Sequence, residues 1–506
     1  MAAEGTAAEA ATRQQRGTSA TRQALPLVLA RMTAAVITVV TPLYLARTLS
    51  LEEYGTYKQI FLLCGPILSI LPLGMAQSLY YFVPRAQGPR AVLLQTQLFN
   101  LTMGLVGAVL LWVALPFAAE RFPNPALLLF RRELAFFVLF SLAGGLLETT
   151  LTSQGRTRAS ALVYVSYEVL KSVALVVPFL LGLGMKGALA ALAALTLTRF
   201  CVTLWMVLSA EGGRPSWTGL RAQLAYALPF GAAMMISIPQ QVAHQYAVAL
   251  GVTPALYAVY AVGCFQVPLV DLLYSPTSEV LMVRVGQLDK QGLGEQAAGL
   301  FREAARKLAM VFIPASAFLV LSAPWVVRAL FGARFDAAVP IFRVSVLGIM
   351  LACLPMDGLL RARGQTRTIF FSYLGKAAVT VPLLAVLVPW LGMLGGILAW
   401  LLAEVVGKAL LLRQLPRALA AGGPPPALRD WLPVKELARL CGATGLCVGA
   451  VLATTPRLGP LLETLGGREG ALLHVAAAGV LFTGALVPLL QVFGLRPLAL
   501  LASLRR

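Results

Sequence analysis

The residues of this sequence with the most evident chemistry are charged side chains that lie within long apolar segments. A charged group near the centre of a bilayer costs about 2.5 to 3.5 kcal/mol on insertion scales, so each one needs a partner, water or a function. Such residues are Arg31, Lys171, Arg199, Lys376, Lys408, Glu148, Glu168, Asp271, Glu279, Asp357 and Glu404.

The segments that carry these charges predict an all-α polytopic integral membrane protein. The chain has 506 residues, of which 58% are hydrophobic and 12% charged, and its mean hydropathy is +0.80. This leaves too few polar residues to cover a soluble globule. About 20 apolar residues cross a bilayer core as a helix. We expect fourteen spans, near 24–46, 59–83, 91–117, 133–153, 159–183, 187–209, 225–250, 255–282, 308–331, 338–360, 368–390, 393–413, 433–454 and 471–493.

The distribution of basic residues predicts that both termini are cytoplasmic. With the N-terminus inside, about 25 of the 41 Lys and Arg residues fall in cytoplasmic segments and about 11 in external ones, as the positive-inside rule requires. The net charge of +20 then reflects topology and lipid headgroups, and no nucleic acid partner is expected.

The chain contains an internal repeat. At an offset of 203, Ala24-Leu25-Pro26 aligns with Ala227-Leu228-Pro229, and at 209 the loop Gly155-Arg156-Thr157-Arg158 aligns with Gly364-Gln365-Thr366-Arg367. Six spans per copy make the two copies parallel, with a central cavity expected between two six-helix lobes. The expected organisation is a cytoplasmic polar tail at 1–21, a first lobe at 22–210, a second lobe at 211–413 including a cytoplasmic connection at 283–307, a cytoplasmic loop at 414–432, and two additional helices with a short tail at 433–506.

Four stretches, two in each half of the chain, resemble a known family. LARTLSLEEYGTYKQIF (45–61) with ILPLGMAQSLYYFVPR (70–85), and ALYAVYAVGCFQVPLVDLLYSPTSEVLMVRVGQL (255–288) with GLLRARGQTR (358–367), are similar to the Wzx-type polysaccharide flippases. These belong to the multidrug/oligosaccharidyl-lipid/polysaccharide exporter superfamily. The resemblance covers roughly residues 22–415, and PQQVAHQYAV (239–248) departs from the family's acidic-basic pair in the seventh span.

This resemblance implies a flippase in the bacterial inner membrane. The substrate would be a polyprenyl-pyrophosphate-linked oligosaccharide for a surface polysaccharide such as lipopolysaccharide or exopolysaccharide, moved by alternating access. The expected partners are this lipid-linked glycan, membrane lipids and other polysaccharide assembly proteins. The six cysteines form no C-x-x-C and there are only two histidines, so we expect no metal, disulfide or cofactor.

Sequence spacing sorts the charges into paired and unpaired groups. Glu148, Glu279 and Asp357 lie near cytoplasmic ends that carry Arg156, Arg284 and Arg361, and are expected to be solvated there. Glu168 with Lys171 (i, i+3) and Glu404 with Lys408 (i, i+4) are spaced as neutralising pairs on one helix face.

The remaining deep cations are Arg31, Arg199 and Lys376, for which the sequence offers no evident partner. A pyrophosphate must cross a region of low dielectric constant, and guanidinium and ammonium groups bind its oxygens. We therefore expect these three residues to bind the headgroup. For Arg31 and Lys376, a side chain that reaches back to the interface is the alternative.

Polar residues of the seventh and eighth spans complete the expected site. Gln240, Gln241, His244 and Gln245 either bind sugar hydroxyls or join helices by hydrogen bonds. Asp271 is expected either to bind a coupling ion or to be a fixed partner of a deep arginine.

Two other functions compete with the flippase. A multidrug exporter of the same superfamily would favour acidic over basic cavity residues. A membrane-embedded polysaccharide polymerase or ligase would need external catalytic residues, and the short external segments offer no acid–base pair. We therefore do not expect an enzyme.

Overall fold

The apolar segments of the chain form helices, as expected where no water is present to satisfy backbone polar groups. A computed structural model describes residues 36–420, 424–463 and 467–495. Within these ranges twelve helical segments are long and apolar enough to span a bilayer. The predicted all-α membrane fold is therefore confirmed.

The other two predicted spans, the first and the eighth, take a different form. The span predicted at 24–46 begins outside the described residues, which show only its later part as α1 (Val36–Thr48). The span predicted at 255–282 is wrong as a single helix, because it is divided into α10 (Pro254–Gly263) and α11 (Leu269–Lys290). Pro268 has no N–H to continue the helix, and its ring clashes with the preceding turn.

The remaining helices of the first half are α2 (Leu51–Ile70), α3 (Met75–Phe82), α4 (Arg90–Arg121), α5 (Arg131–Gly144), α6 (Leu147–Ser153), α7 (Thr157–Leu180), α8 (Gly184–Leu208) and α9 (Trp217–Ala249). Those of the second half are α12 (Ala297–Phe331), α13 (Val339–Leu351), α14 (Met356–Ala362), α15 (Thr366–Leu391), α16 (Met393–Leu419), α17 (Leu428–Trp431), α18 (Val434–Glu463) and α19 (Gly467–Val492).

The element order confirms the internal repeat. The helices α6, α7 and α8 start 209 residues before α14, α15 and α16 respectively. The 3-10 turn Pro125–Phe130 precedes α5 as Ala333–Ala338 precedes α13, and both of these spans break before a short second helix. The repeat therefore extends to the irregular elements, whose positions hydropathy does not reveal.

A left-handed glycine closes the same turn in both copies. Gly155 has φ +78° and Gly364 has φ +65°. In each copy the next residue, Arg156 or Gln365, donates its backbone N–H to a carbonyl five residues earlier, at 2.9 and 2.8 Å. A glycine is required here because left-handed backbone costs other residues about 1–2 kcal/mol.

Gly155→Ala and Gly364→Ala should therefore destabilise the protein equally, each by about 1 kcal/mol, because open space surrounds both sites and only backbone conformation changes. Thermal unfolding of the purified variants measures this. Gly299→Ala, within α12 and also in open space, should be neutral or stabilising. Unequal losses at the two turns would contradict their equivalence.

The described chain divides into two compact units. Unit 1 comprises the residues up to Pro239 together with Leu250–Ala255, and unit 2 comprises Gln240–Ala249 and the residues from Leu256 onward. The boundary between the two units falls within α9. It differs from the boundary between the two sequence repeats, which stays a prediction at 210/211. The additional helices α18 and α19 belong to unit 2, where Cys447 and Phe482 pack near Phe318 of α12.

Candidate functional site

Unit 2 contains a cavity of about 660 Å³ between its helices. This volume is within the range usual for small-molecule sites, about 300–1,000 Å³. Its walls come from the end of α9, the break between α10 and α11, and the helices α13, α15 and α16. Charged, amide, hydroxyl and aromatic side chains line it, which is unusual for the interior of a membrane-spanning unit.

The break in the eighth span forms one wall of the cavity. The cavity is lined by Cys264, Phe265, Gln266 and Val267 of the break and by the first turn of α11. The close approach of Gly263 to Ile341, where a Cβ would lie 2.5 Å away, holds the end of α10 in place. Irregular backbone at membrane depth is tolerated where it lines a cavity. Gly263 before CFQVP and Pro268 at its end were the sequence signal for this break.

Lys376 of α15 is 5% exposed and pairs with Glu404 of α16. The expectation that Lys376 has no partner is therefore wrong, and so is the pairing of Glu404 with Lys408. The reason is geometric, since the α15–α16 hairpin brings residues 28 positions apart into contact, whereas the spacing rule considers one helix only.

Lys408 also lines the cavity, one turn after Glu404. Its ammonium lies 5.4 Å from the centre of the Tyr274 ring and interacts electrostatically with Asp357 and Glu404. No direct ion pair among the described residues includes it. Lys408 is therefore the cation that remains available in the cavity.

Asp357 is held by several partners at the start of α14. Tyr274 and Ser278 donate hydroxyl hydrogen bonds to it, the latter over 3.3 Å. Arg361 forms an ion pair with it at 3.4 Å, as its spacing from the cytoplasmic arginine suggested. Its charge is therefore largely compensated locally.

Asp271 lies in the first turn of α11 and is exposed on the cavity wall. The positive end of the helix dipole stabilises a carboxylate at this position. None of the ion pairs within the described ranges includes Asp271, so a fixed arginine partner is not found there. Its role in ion coupling stays a prediction.

The polar residues of the seventh span divide between the two expected roles. Gln240 donates to the Thr380 hydroxyl at 3.2 Å, and Nδ1 of His244 lies 2.6 Å from the Tyr260 hydroxyl, so both join helices. Gln241, His244 and Gln245 line the cavity. The Gln245 amide oxygen accepts from the Tyr257 hydroxyl at 3.3 Å, so within the seventh span the Gln241 amide and the NH2 group of Gln245 are the amide groups that a ligand could bind.

The deep arginine of unit 1 is neutralised. Arg199 pairs with Glu148, and its guanidinium carbon lies 4.2 Å from the centre of the Tyr167 ring. The expectation that Arg199 has no partner is therefore wrong. The expectation that Glu148 is solvated beside Arg156 is also wrong, because α6 packs this acidic residue against α8. Glu148 and Arg199 are 51 positions apart in the sequence, so only the packing of α6 against α8 brings them into contact.

A second charge pair of unit 1 agrees with the sequence. Lys171 and Glu168 are 2.5 Å apart on α7, which confirms the predicted i, i+3 pair. Thr38 of α1 also donates to Glu168, at 3.0 Å. Arg31 lies outside the described residues, so its role stays a prediction.

Four aromatic residues of the cavity were not predicted from the sequence: Phe265, Tyr274, Tyr373 and Trp400. Tyrosine and tryptophan in an apolar span are ordinarily anchors at the membrane interface. Trp400 lies one helical turn before Glu404 on α16. Because the two residues share a helix face, this spacing was the available sequence signal.

Comparison with known proteins shows the fold and the family. A solved structure of the lipid II flippase MurJ in an inward closed conformation matches with a TM-score of 0.70 and 12% identity over 92% of this chain and 98% of that one. A MATE multidrug resistance transporter of the MOP superfamily in an outward-facing conformation matches with 0.51 and 15% over 79% and 95%. A MATE structure in the straight conformation matches with 0.52 and 14% over 79% and 96%. At these identities the likeness concerns the fold alone.

Sequence comparison is more specific about the family. No protein with a curated description matches the chain. A family model described as "Polysaccharide biosynthesis protein" matches residues 44–340, which is more than half of the chain. The resemblance identified from the sequence is thereby confirmed, and the chain belongs to the polysaccharide biosynthesis protein family.

Proposed function

We propose that this protein is a flippase that moves a polyprenyl-pyrophosphate-linked oligosaccharide across the bacterial inner membrane by alternating access. Membership of a polysaccharide biosynthesis family and a fold shared with the lipid II flippase MurJ support a lipid-linked glycan as cargo. Both termini would be cytoplasmic, and membrane lipids and other assembly proteins would be its partners.

The observation that carries the proposal is the character of the unit 2 cavity. A glycan needs hydrogen-bonding amides and hydroxyls, together with flat aromatic faces, and the cavity has Gln241, Gln245, Ser345 and Trp400 on its walls. A purely apolar lining would serve the lipid chain but not the sugar. We assign the polar part of the cargo to this cavity during part of the cycle.

Transport into proteoliposomes tests the proposal. Protein reconstituted with a polyprenyl-pyrophosphate-linked oligosaccharide should move the glycan to the opposite leaflet, where a lectin that does not cross membranes detects it. Trp400→Leu should lower the rate about tenfold at most, because aromatic contacts contribute about 0.5–1.5 kcal/mol.

Trp390→Leu provides the matched control. Trp390 lies on neighbouring α15, is 82% exposed and is not among the cavity residues, so its loss should leave the rate unchanged. Wild-type vesicles that move no glycan, with or without an ion gradient, would refute the proposed function.

A multidrug exporter is the second candidate, because three carboxylates, Asp271, Asp357 and Glu404, line the cavity beside two lysines. Two of these acids already have cationic partners, which reduces the attraction for an organic cation. Efflux of ethidium from the same vesicles, without glycan movement, would favour this alternative.

A further inference from the structure

Two buried tyrosines of α10 contact polar residues of α9 that line the unit 2 cavity. Tyr257 and Tyr260 are one helical turn apart and are 1% and 0% exposed. The Tyr260 hydroxyl oxygen lies 2.6 Å from Nδ1 of His244, and the Tyr257 hydroxyl donates to Oε1 of Gln245 at 3.3 Å. His244 and Gln245 both line the cavity. Each tyrosine therefore engages one of the two polar atoms of a cavity side chain.

The contact with Tyr257 fixes the orientation of the Gln245 amide. The buried Tyr257 hydroxyl needs an acceptor for its proton, and in the amide only the carbonyl oxygen can accept. The NH2 group of Gln245 has no hydrogen-bond partner among the described residues, and it is not one of their enclosed unpartnered atoms. It is therefore open to the cavity as a donor.

The contact with Tyr260 fixes the position of the His244 ring proton in the same way. The other group within hydrogen-bonding reach of the Tyr260 hydroxyl is the thiol of Cys264. Because sulfur is a weak acceptor, the Tyr260 proton goes to Nδ1 of His244. The ring proton is then on Nε2. Nε2 also lacks a partner in the described chain without being enclosed, so His244 offers the cavity a second donor.

The first copy of the repeat has the tyrosines without these partners. The helices α2 and α10 start 203 residues apart, and at this offset the tyrosine pair of α10 corresponds to Tyr54 and Tyr57 of α2. The positions of the histidine and the glutamine are occupied by Thr41 and Pro42. The tyrosines are therefore common to both copies, whereas the side chains that they orient are specific to unit 2, which contains the cavity.

The part of the cavity wall formed by His244 and Gln245 thus presents two donors, while its acceptor atoms are engaged by the tyrosines. A ligand hydroxyl can accept a hydrogen bond here, but its own proton finds no free acceptor atom on these two residues, which is unfavourable. The oxygen of a carbonyl or carboxylate carries no proton and avoids this loss. Sites with oriented polar groups discriminate between ligands in this way.

We propose that this wall selects a glycan by an acceptor oxygen that carries no proton, either the carbonyl of an acetamido group or the carboxylate of a uronic acid. Tyr257 and Tyr260 are the positioning residues of this selectivity, because they act through His244 and Gln245. The inference rests on the proposed function in taking a glycan as the ligand, and it adds the substituent that this glycan carries.

Saturation-transfer NMR titration of the purified full chain in nanodiscs tests the proposal. Of three trisaccharide probes, chitotriose carries acetamido groups, trigalacturonate carries carboxylates, and maltotriose carries neither. Wild-type protein should bind one or both of the first two about fivefold more tightly than maltotriose, the effect of one hydrogen bond. Maltotriose bound as tightly as the other two, or no binding of any probe, would overturn the proposal.

The double variant Tyr257→Phe/Tyr260→Phe tests the positioning role. Without the two hydroxyls, the amide and the imidazole can turn an acceptor atom toward the cavity, so the preference over maltotriose should fall to about twofold or less. The affinity for maltotriose itself should stay within about twofold of the wild-type value, because a hydroxyl can bind either arrangement. An unchanged preference, or an equal loss of all three probes, would overturn the positioning role.

Gln245→Glu tests the donor directly, because it replaces the NH2 group by an oxygen and keeps an acceptor for Tyr257. Binding of the preferred probe should weaken about tenfold, and undiminished binding would contradict the donor assigned to Gln245. Tyr57→Phe is the matched control, since it removes a buried tyrosine hydroxyl at the equivalent position of unit 1. This variant should keep the wild-type preference.

The pattern of binding identifies the substituent. A preference for chitotriose alone would assign the acetamido carbonyl, a preference for trigalacturonate alone the carboxylate, and a preference for both the acceptor oxygen that they share. Selective binding without glycan transport in proteoliposomes would refute the proposed function alone. Glycan transport by a protein that does not distinguish the three probes would refute this inference alone.

Discussion

Glu404→Leu is expected to destabilise the protein by about 3–5 kcal/mol. Glu404 neutralises Lys376, whose side chain is 7% exposed, and removal of one partner leaves a buried charge without compensation. The free energy of unfolding, measured by titration with sodium dodecyl sulfate, gives the loss. A thiol-reactive dye reports the unfolding, because Cys64 and Cys447 are buried and become accessible.

The double variant Lys376→Met/Glu404→Leu should regain most of this loss, since apolar residues of similar volume often replace a buried ion pair without cost. Glu303→Leu is the matched single change at an exposed i, i+4 pair with Lys307, and it should cost no more than about 0.5 kcal/mol. Equal losses in Glu404→Leu and Glu303→Leu would contradict a buried pair.

Gly395→Ala is expected to destabilise the protein by about 3 kcal/mol, the upper end for overpacking. A Cβ on Gly395 would lie 1.8 Å from the carbonyl oxygen of Leu387, so α15 and α16 would have to separate. These helices carry Lys376 and Glu404, and glycan transport should fall together with stability. The measurements are detergent unfolding and the proteoliposome rate.

Gly449→Ala is the control for this substitution. Gly449 lies within α18 with open space around it, and alanine is the better helix former by about 1 kcal/mol. This variant should be as stable as the wild type or slightly more so. A Gly395→Ala protein of wild-type stability would mean that the α15–α16 approach is looser than the structure indicates.

Hydropathy and spacing were sufficient for most of the fold. The positions of the spans follow from the length of apolar chain that a bilayer requires, and this is a local property. The repeat was found from short matches such as Gly155-Arg156-Thr157-Arg158 with Gly364-Gln365-Thr366-Arg367. The equivalent turns show why these matches persisted, because each needs a glycine with positive φ.

The eighth span shows the limit of that approach. Its hydropathy is continuous across 255–282, so a single helix was predicted, yet the chain breaks between Gly263 and Leu269. The proline that breaks it was visible in the sequence. Its consequence was not, because prolines such as Pro314 and Pro324 lie inside α12 without ending that helix.

The sequence by itself determined the membrane class, the helices, the repeat, the family resemblance and the Glu168–Lys171 pair, which lies on one helix. The tertiary structure decided the partners of Arg199 and Lys376, and of the two cavity lysines it left Lys408 without a direct ion pair in the described residues. The physical reason is that an ion pair within one helix depends on spacing along the chain, whereas a buried cation pairs with the carboxylate that lies nearest to it in space. Which carboxylate is nearest depends on how α6 meets α8 and how α15 meets α16.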